Sequence, residues 1–348
     1  MTSKQKQLNL KKQMAPYEKS DIKRSSTQLI NTIVPFILLW FLAYKSLSIS
    51  FLLTLCISVI AAGFLIRIFI IFHDCCHHSF FKNRTANKIV GTITGIMTMF
   101  PYHQWQHDHN VHHATSGNLD KRGTGDIWTL TVKEYQEATF ATRAAYRIYR
   151  NPLIMFGLGP IYVFVIKNRF NRKNARKNER MNTYLTNAAI VGLYAIMCWA
   201  IGWEAFLMVQ GPTFLISGAA GIWLFYVQHT FEDSYFEEDD KWEYVKAAVE
   251  GSSFYKLPKV LQWLTGNIGF HHIHHLSPRV PNYNLDDAHY NTAELQNVPT
   301  ITLSTSLQSL RFRLWNEEVQ SFTGYRTAKK AALIQKQNRA GKTASVKP

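Results

Sequence analysis

Fourteen histidines occur in this chain of 348 residues, and most of them fall in three tight clusters. The first reads His73-Asp-Cys-Cys-His77-His78, the second His107-Asp-His109-Asn-Val-His112-His113 and the third His271-His272-Ile-His274-His275. His73 and His77 are four residues apart, which on a helix sets both imidazoles on one face. The other two clusters each contain H-x-x-H-H, whose i, i+3 and i+4 positions are expected to converge in the same way. Neutral imidazole binds iron, zinc and copper, so eight ligands at these spacings suffice for two metal ions. A single HxxxH pair carries little weight, but three such clusters point to a metal centre. His78 and His272 sit next to residues on the converging faces and point about 100° away, and His107 is off the 109/112/113 face. These three read as supporting or solvated groups, and the isolated His103 and His289 as surface residues.

The clusters need a scaffold, and hydropathy supplies one. Of the chain, 47% is hydrophobic, yet its mean hydropathy is only −0.13, because long apolar runs alternate with stretches dense in Lys, Arg and His. About 20 apolar residues cross a bilayer. Four stretches qualify, at 29–47, 51–72, 184–203 and 205–227. Each pair is joined by very few residues, which predicts two helical hairpins in an all-α integral membrane protein whose remaining segments form a helical cap. Two shorter apolar runs, Ile89 to Phe100 and Leu153 to Ile166, are expected in or near the membrane interface.

Lys and Arg beside membrane spans stay in the cytoplasm. Lys4, Lys6, Lys11, Lys12, Lys19, Lys23 and Arg24 precede the first span, and nearly all other basic residues lie in 73–183 or after His229. The short connections offer only Lys45. Both termini, the middle segment and all three clusters are therefore expected inside the cell, with the hairpin tips outside. The apolar run after the basic start is too long for a signal peptide and has no small-x-small cleavage site. The net charge of +16 comes without a nucleic-acid-binding motif and fits attraction to anionic headgroups. Cys56, Cys75, Cys76 and Cys198 show no disulfide-like spacing and read as reduced. The organisation expected is a basic cytoplasmic segment over 1–28, one domain over 29–325, and a basic, mobile tail over 326–348.

The strings HDCCHHSFF at 73–81, HDHNVHH at 107–113 and HHIHHLSPRVPNY at 271–283 resemble the three histidine boxes of the membrane fatty-acid desaturase family. The similarity extends from about residue 28 to about 316, takes in GTGDIW at 123–128 and VQHTFED at 227–233, and within the family is closest to the bacillar acyl-lipid delta-5 type. The resemblance implies that His73, His77, His109, His112, His113, His271, His274 and His275 are the box ligands of a di-iron centre. It also implies a ninth ligand near the end of the last span, at His229. Asp74, Asp108, Asp233 and Asn267 are candidates to orient these imidazoles.

What the resemblance implies chemically is O2-dependent formation of a cis double bond, expected at delta-5, in acyl chains of membrane phospholipids. A methylene has neither an acidic proton nor a leaving group, so acid–base and nucleophilic side chains cannot attack it. Two irons with O2 can, and zinc competes for imidazole sites of this kind. The sequence has no fused cytochrome motif and no dinucleotide fingerprint. A separate ferredoxin or flavodoxin is therefore the implied electron donor. A related di-iron hydroxylase would use the same boxes. A metal transporter would instead place His or carboxylate ligands within the spans, which hold none.

Overall fold

The computed structural model describes residues 3–329. Four long helices dominate it: α2 (Ile22–Ser46) and α3 (Phe51–Cys76) form one hairpin, α8 (Lys177–Ile201) and α9 (Trp203–His229) the other. All four are long and apolar enough to cross a membrane. Local chemistry sets their ends. The Asp21 carboxylate accepts from the backbone N–H groups of Lys23 and Arg24, and the Ser50 hydroxyl accepts from Leu52 N–H, so α2 and α3 each begin on a side-chain cap. Gly202, at φ +84°, breaks α8 from α9 in a conformation costly for other residues.

Each helix is longer than the apolar run that predicted it. α2 starts seven residues before Leu29, and α3 ends at Cys76 rather than Phe72. The apolar run marks only the part that meets lipid, whereas backbone hydrogen bonding continues past the hydrocarbon edge. That continuation carries His73 and His229 on the same rods as the spans. α3 packs against both α2 and α9, and half of its apolar window is buried, against 11% for α8. α3 is therefore the central post, and α8 is mostly lipid-facing.

Between the hairpins lie α4 (Arg84–Met97), α5 (Tyr102–Thr115), α6 (Val132–Glu137) and α7 (Phe140–Tyr149). α4 turns Ile89 and Ile93 outward and lays Gly91 and Gly95 against α3 and its neighbours. A side-chain carbon at Gly91 would lie 2.4 Å from the Tyr102 ring and 2.9 Å from Cys75 Cβ. Gly91→Ala should accordingly overpack this crossing at a cost of about 1–3 kcal/mol, read as a lower Tm of the purified protein; an unchanged Tm would contradict the packing. The run 153–166 is π-helical over Ile154–Leu158 and Ile161–Ile166, and the segment it begins, Ile154–Arg169, forms with α7 a pair bent by 65° that together is long and apolar enough to cross a membrane. Such a bend suits an interfacial or re-entrant element.

After α9 the chain builds the cap from α10 (Tyr244–Glu250), α11 (Lys259–Leu264), α12 (His271–Leu276) and α13 (Leu285–Tyr290). Short strands, absent from the sequence expectation, stitch it together. β1 (Leu130–Thr131) runs parallel to β4 (Leu314–Asn316), which pairs antiparallel with β5 (Ser321–Thr323); β2 (Phe254–Lys256) runs parallel to β3 (Thr300–Thr302). The basic start is partly built in: α1 (Ser3–Met14) buries Met14 in the core formed by Phe254, Phe270 and Ile273. The tail expected to be mobile from residue 326 is helical over 325–329, with Ala328 buried beside Tyr146 and Leu314. Its remainder, 330–348, lies outside the described residues.

Candidate metal centre

α3 and α9 each start at a hairpin tip and carry a histidine in their last turn, so His73 and His229 reach the same end of the helical unit. α5 and α12 close over that end. The outcome is two adjacent groups. His73, His77, His109, His113 and His274 have ring nitrogens that all lie within 4.8 Å of one another, and so do His112, His229 and His275. His271 joins the second group, its Nε2 lying 2.9 Å from His229 Nε2.

The box histidines thus do not share one site per box. His109 and His113, four residues apart on α5, enter the first group, and His112 enters the second. On α12, His274 goes to the first and His275 and His271 go to the second. The reason is angular: i and i+4 differ by about 40° around a helix, while i+3 lies about 60° to the other side. α5 and α12 run between the two groups and serve both.

The nitrogens are arranged for ions rather than for one another. His109 Nε2 is 3.0 Å from His73 Nε2 and 3.1 Å from His113 Nε2. Roughly 3 Å is the edge of an octahedron with metal–nitrogen bonds of about 2.1 Å. Buried ring nitrogens of His77, His112, His274 and His275, all Nε2, have no hydrogen-bond partner. Buried polar atoms without partners are costly, and a cation inside each group satisfies them. Burial, reinforced by neighbouring imidazoles, holds His77, His109, His113, His271, His274 and His275 well below the ordinary imidazole value. They are neutral at pH 7, as ligands must be.

Hydrogen bonds from the opposite ring nitrogen aim several of these groups. His73 Nδ1 donates to Asp74 Oδ1 at 3.1 Å, His112 Nδ1 to Asp126 Oδ1 at 2.5 Å, and His229 Nδ1 to the Gly251 carbonyl at 3.2 Å. Each bond leaves Nε2 facing the cluster. Asp74 is held in turn, because Asn282 donates to its Oδ2 from both backbone N and Nδ2, at 2.7 and 2.8 Å. Asn267 Nδ2 donates to the Asn282 carbonyl, so it acts at one remove.

Two further expected orienters lie elsewhere. Asp233 is exposed, and Asp108 is influenced by Lys167, His107 and Arg172 rather than by a cluster histidine, with burial raising its pKa. Asp126 lies in the GTGDIW string, where no local spacing marks it as a partner of His112. Among the others, His78 is exposed, with its ring 3.3 Å from Gln106 Nε2, and His107 is half-buried. His103 is half-buried too, its backbone N–H donating to Asn182 Oδ1. His289, expected at the surface, is instead buried, and His272 Nε2 lies 3.1 Å from its Nδ1. The pair packs behind α12, with Phe254 against both rings.

Comparison with known proteins points to one family. A family profile described as "Fatty acid desaturase" matches residues 49–302. A "Fatty acid desaturase" of Bacillus subtilis is 67% identical over 324 residues, 93% of this chain and 92% of that protein. More distant is an "Omega-6 fatty acid desaturase, chloroplastic" of Arabidopsis thaliana, 30% identical over 65% of this chain and 50% of its own length. An "sn-1 oleoyl-lipid 12-desaturase" of Synechocystis is 29% identical over 64% of this chain and 63% of its own.

Proposed function

The chain belongs to the fatty acid desaturase family, and from that premise we propose that it uses O2 to form a cis delta-5 double bond in saturated acyl chains of membrane phospholipids. The observation that carries this reading is the convergence of nine histidines in groups of five and four at the ends of α3 and α9. His73, His77, His109, His113 and His274 hold one iron, and His112, His229, His271 and His275 the other. The two irons supply, with O2, the oxidising power that no side chain has.

The protein's own residues prepare that chemistry. Asp74, Asp126 and the Gly251 carbonyl fix the tautomers of His73, His112 and His229, so each presents an unprotonated Nε2. Removing such a partner typically costs 10–100-fold in metal affinity. Asp126→Ala should therefore lower the metal retained after purification, whereas the exposed Asp233→Ala should leave it unchanged. Equal metal content in both variants would remove Asp126 from this role.

Electrons come from a separate ferredoxin or flavodoxin, whose acidic surface suits a chain of net charge +16. Both termini and the centre face the cytoplasm, in keeping with the Lys and Arg asymmetry around the spans. The test of the reaction is expression in a host lacking desaturase, followed by mass-spectrometric location of new double bonds in its phospholipids. A cis double bond at delta-5 supports the reading. A hydroxylated chain, or a bond at another position, overturns its finer part.

A further inference from the structure

A row of aromatic rings connects the lipid-facing π-helical segment with the histidines. Phe164 lies 5.0 Å from Phe100, Phe100 lies 5.0 Å from Phe69, and Phe69 lies 5.6 Å from Trp105. Trp105 in turn stacks on His109 at 4.2 Å, with the ring planes 26° apart. Phe69, Trp105, Phe164 and His109 are only partly buried, so the row can be reached from outside. The segment that carries Phe164 turns Leu158, Tyr162, Val165 and Ile166 outward. No charged side chain belongs to the row, whose rings sit in one hydrophobic cluster with Phe72 and Tyr102, so the path it marks is apolar from the segment to the histidines.

The segment is also tied to α9. A side-chain carbon at Gly218 would lie 2.8 Å from Pro160 and 3.1 Å from the Phe164 ring, so only glycine lets the two backbones approach this closely. π-Helical turns are rare and concentrate at functional sites. A bond at one fixed position requires that the acyl chain not slide by a methylene, and in an apolar site one methylene is worth only about 1–3 kcal/mol. A rigid ring held against the chain is a physical way to secure that difference.

We propose that the acyl chain lies along this row, entering from the bilayer past Ile154–Ile166, and that Phe164 is the specificity-determining residue that selects which methylene reaches the histidines. This rests on the desaturase reading above. The test uses membranes containing the full chain and a phospholipid with a photoactivatable diazirine in its acyl chain. Cross-links are expected on peptides covering 154–166 and 100–105. In the same membranes, Phe164→Ala should lower the preference for one double-bond position over its neighbours by about tenfold, while the outward Tyr162→Ala keeps it. Should Phe164→Ala fail to accumulate, Phe164→Leu and Gly218→Ala, which alters the seat of the same segment, take its place. Unchanged positional preference in the Phe164 and Gly218 variants, or cross-links confined to other peptides, would overturn the proposal. Cross-linking at these peptides by wild-type protein that forms no double bond would support the acyl row and overturn the desaturase reading instead.

Discussion

Replacing any one of His73, His77, His109, His112, His113, His229, His271, His274 or His275 with alanine should reduce desaturation by more than the roughly 10–100-fold expected for losing an outer partner. Membrane insertion should be unaffected, because the apolar helices drive it. Each of these imidazoles faces one of the two groups, and removing one opens a coordination position in that group. His78→Ala, His103→Ala and His107→Ala should retain measurable turnover, since those rings are exposed or half-buried and outside both groups. His289 is a poor control. It is buried and bonded to His272, so His289→Ala should lower stability by leaving His272 Nε2 without its partner. Activity assays on detergent-solubilised variants of matched expression check the set. Comparable loss in His78→Ala or His103→Ala would mean that the groups are misassigned.

Exchanging iron for zinc should abolish turnover while leaving the fold and the metal load intact. All-imidazole sites bind zinc at least as well as ferrous iron, so protein purified without care for iron is expected to carry zinc. Zinc has no redox chemistry, and acyl methylenes yield to no other group in this chain. Stripping zinc and reconstituting with ferrous iron, reductant and O2 should restore double-bond formation in the same preparation. Turnover by zinc-loaded, iron-free protein would refute the oxidative reaction.

The parts of this arrangement legible in the sequence are those set by a single local rule. Span length follows from bilayer thickness, so 51–72 and 205–227 are readable, and the four-residue spacing of His73 and His77 and the closeness of His229 to Val227 also make the helical continuations that carry them legible. Box spacing reveals ligand identity, because i and i+4 share a helical face. It cannot reveal the division into five and four, which depends on where α5 and α12 lie between two partners distant in sequence. Asp126 is not legible for a similar reason. It sits in a glycine-rich loop with no periodicity, 14 residues after the histidine it orients. His289 has no neighbouring histidine in sequence, and only the packing of α13 against α12 brings it to His272. Likewise, the run 153–166 shows its apolarity in sequence but not its π-helical winding.

The division of the nine histidines is the central claim, and metal stoichiometry in iron-reconstituted protein tests it most directly. Wild-type protein should hold two irons per chain. His229→Ala and His112→Ala should each weaken only the four-histidine site and fall toward one iron per chain, while His77→Ala should weaken only the five-histidine site. Combining His229→Ala with His112→Ala should leave that single iron in place, because both residues serve the same ion, whereas adding His77→Ala to His229→Ala should empty both sites. Two irons retained in His229→Ala, or complete loss of iron in the His112/His229 pair, would contradict the assignment.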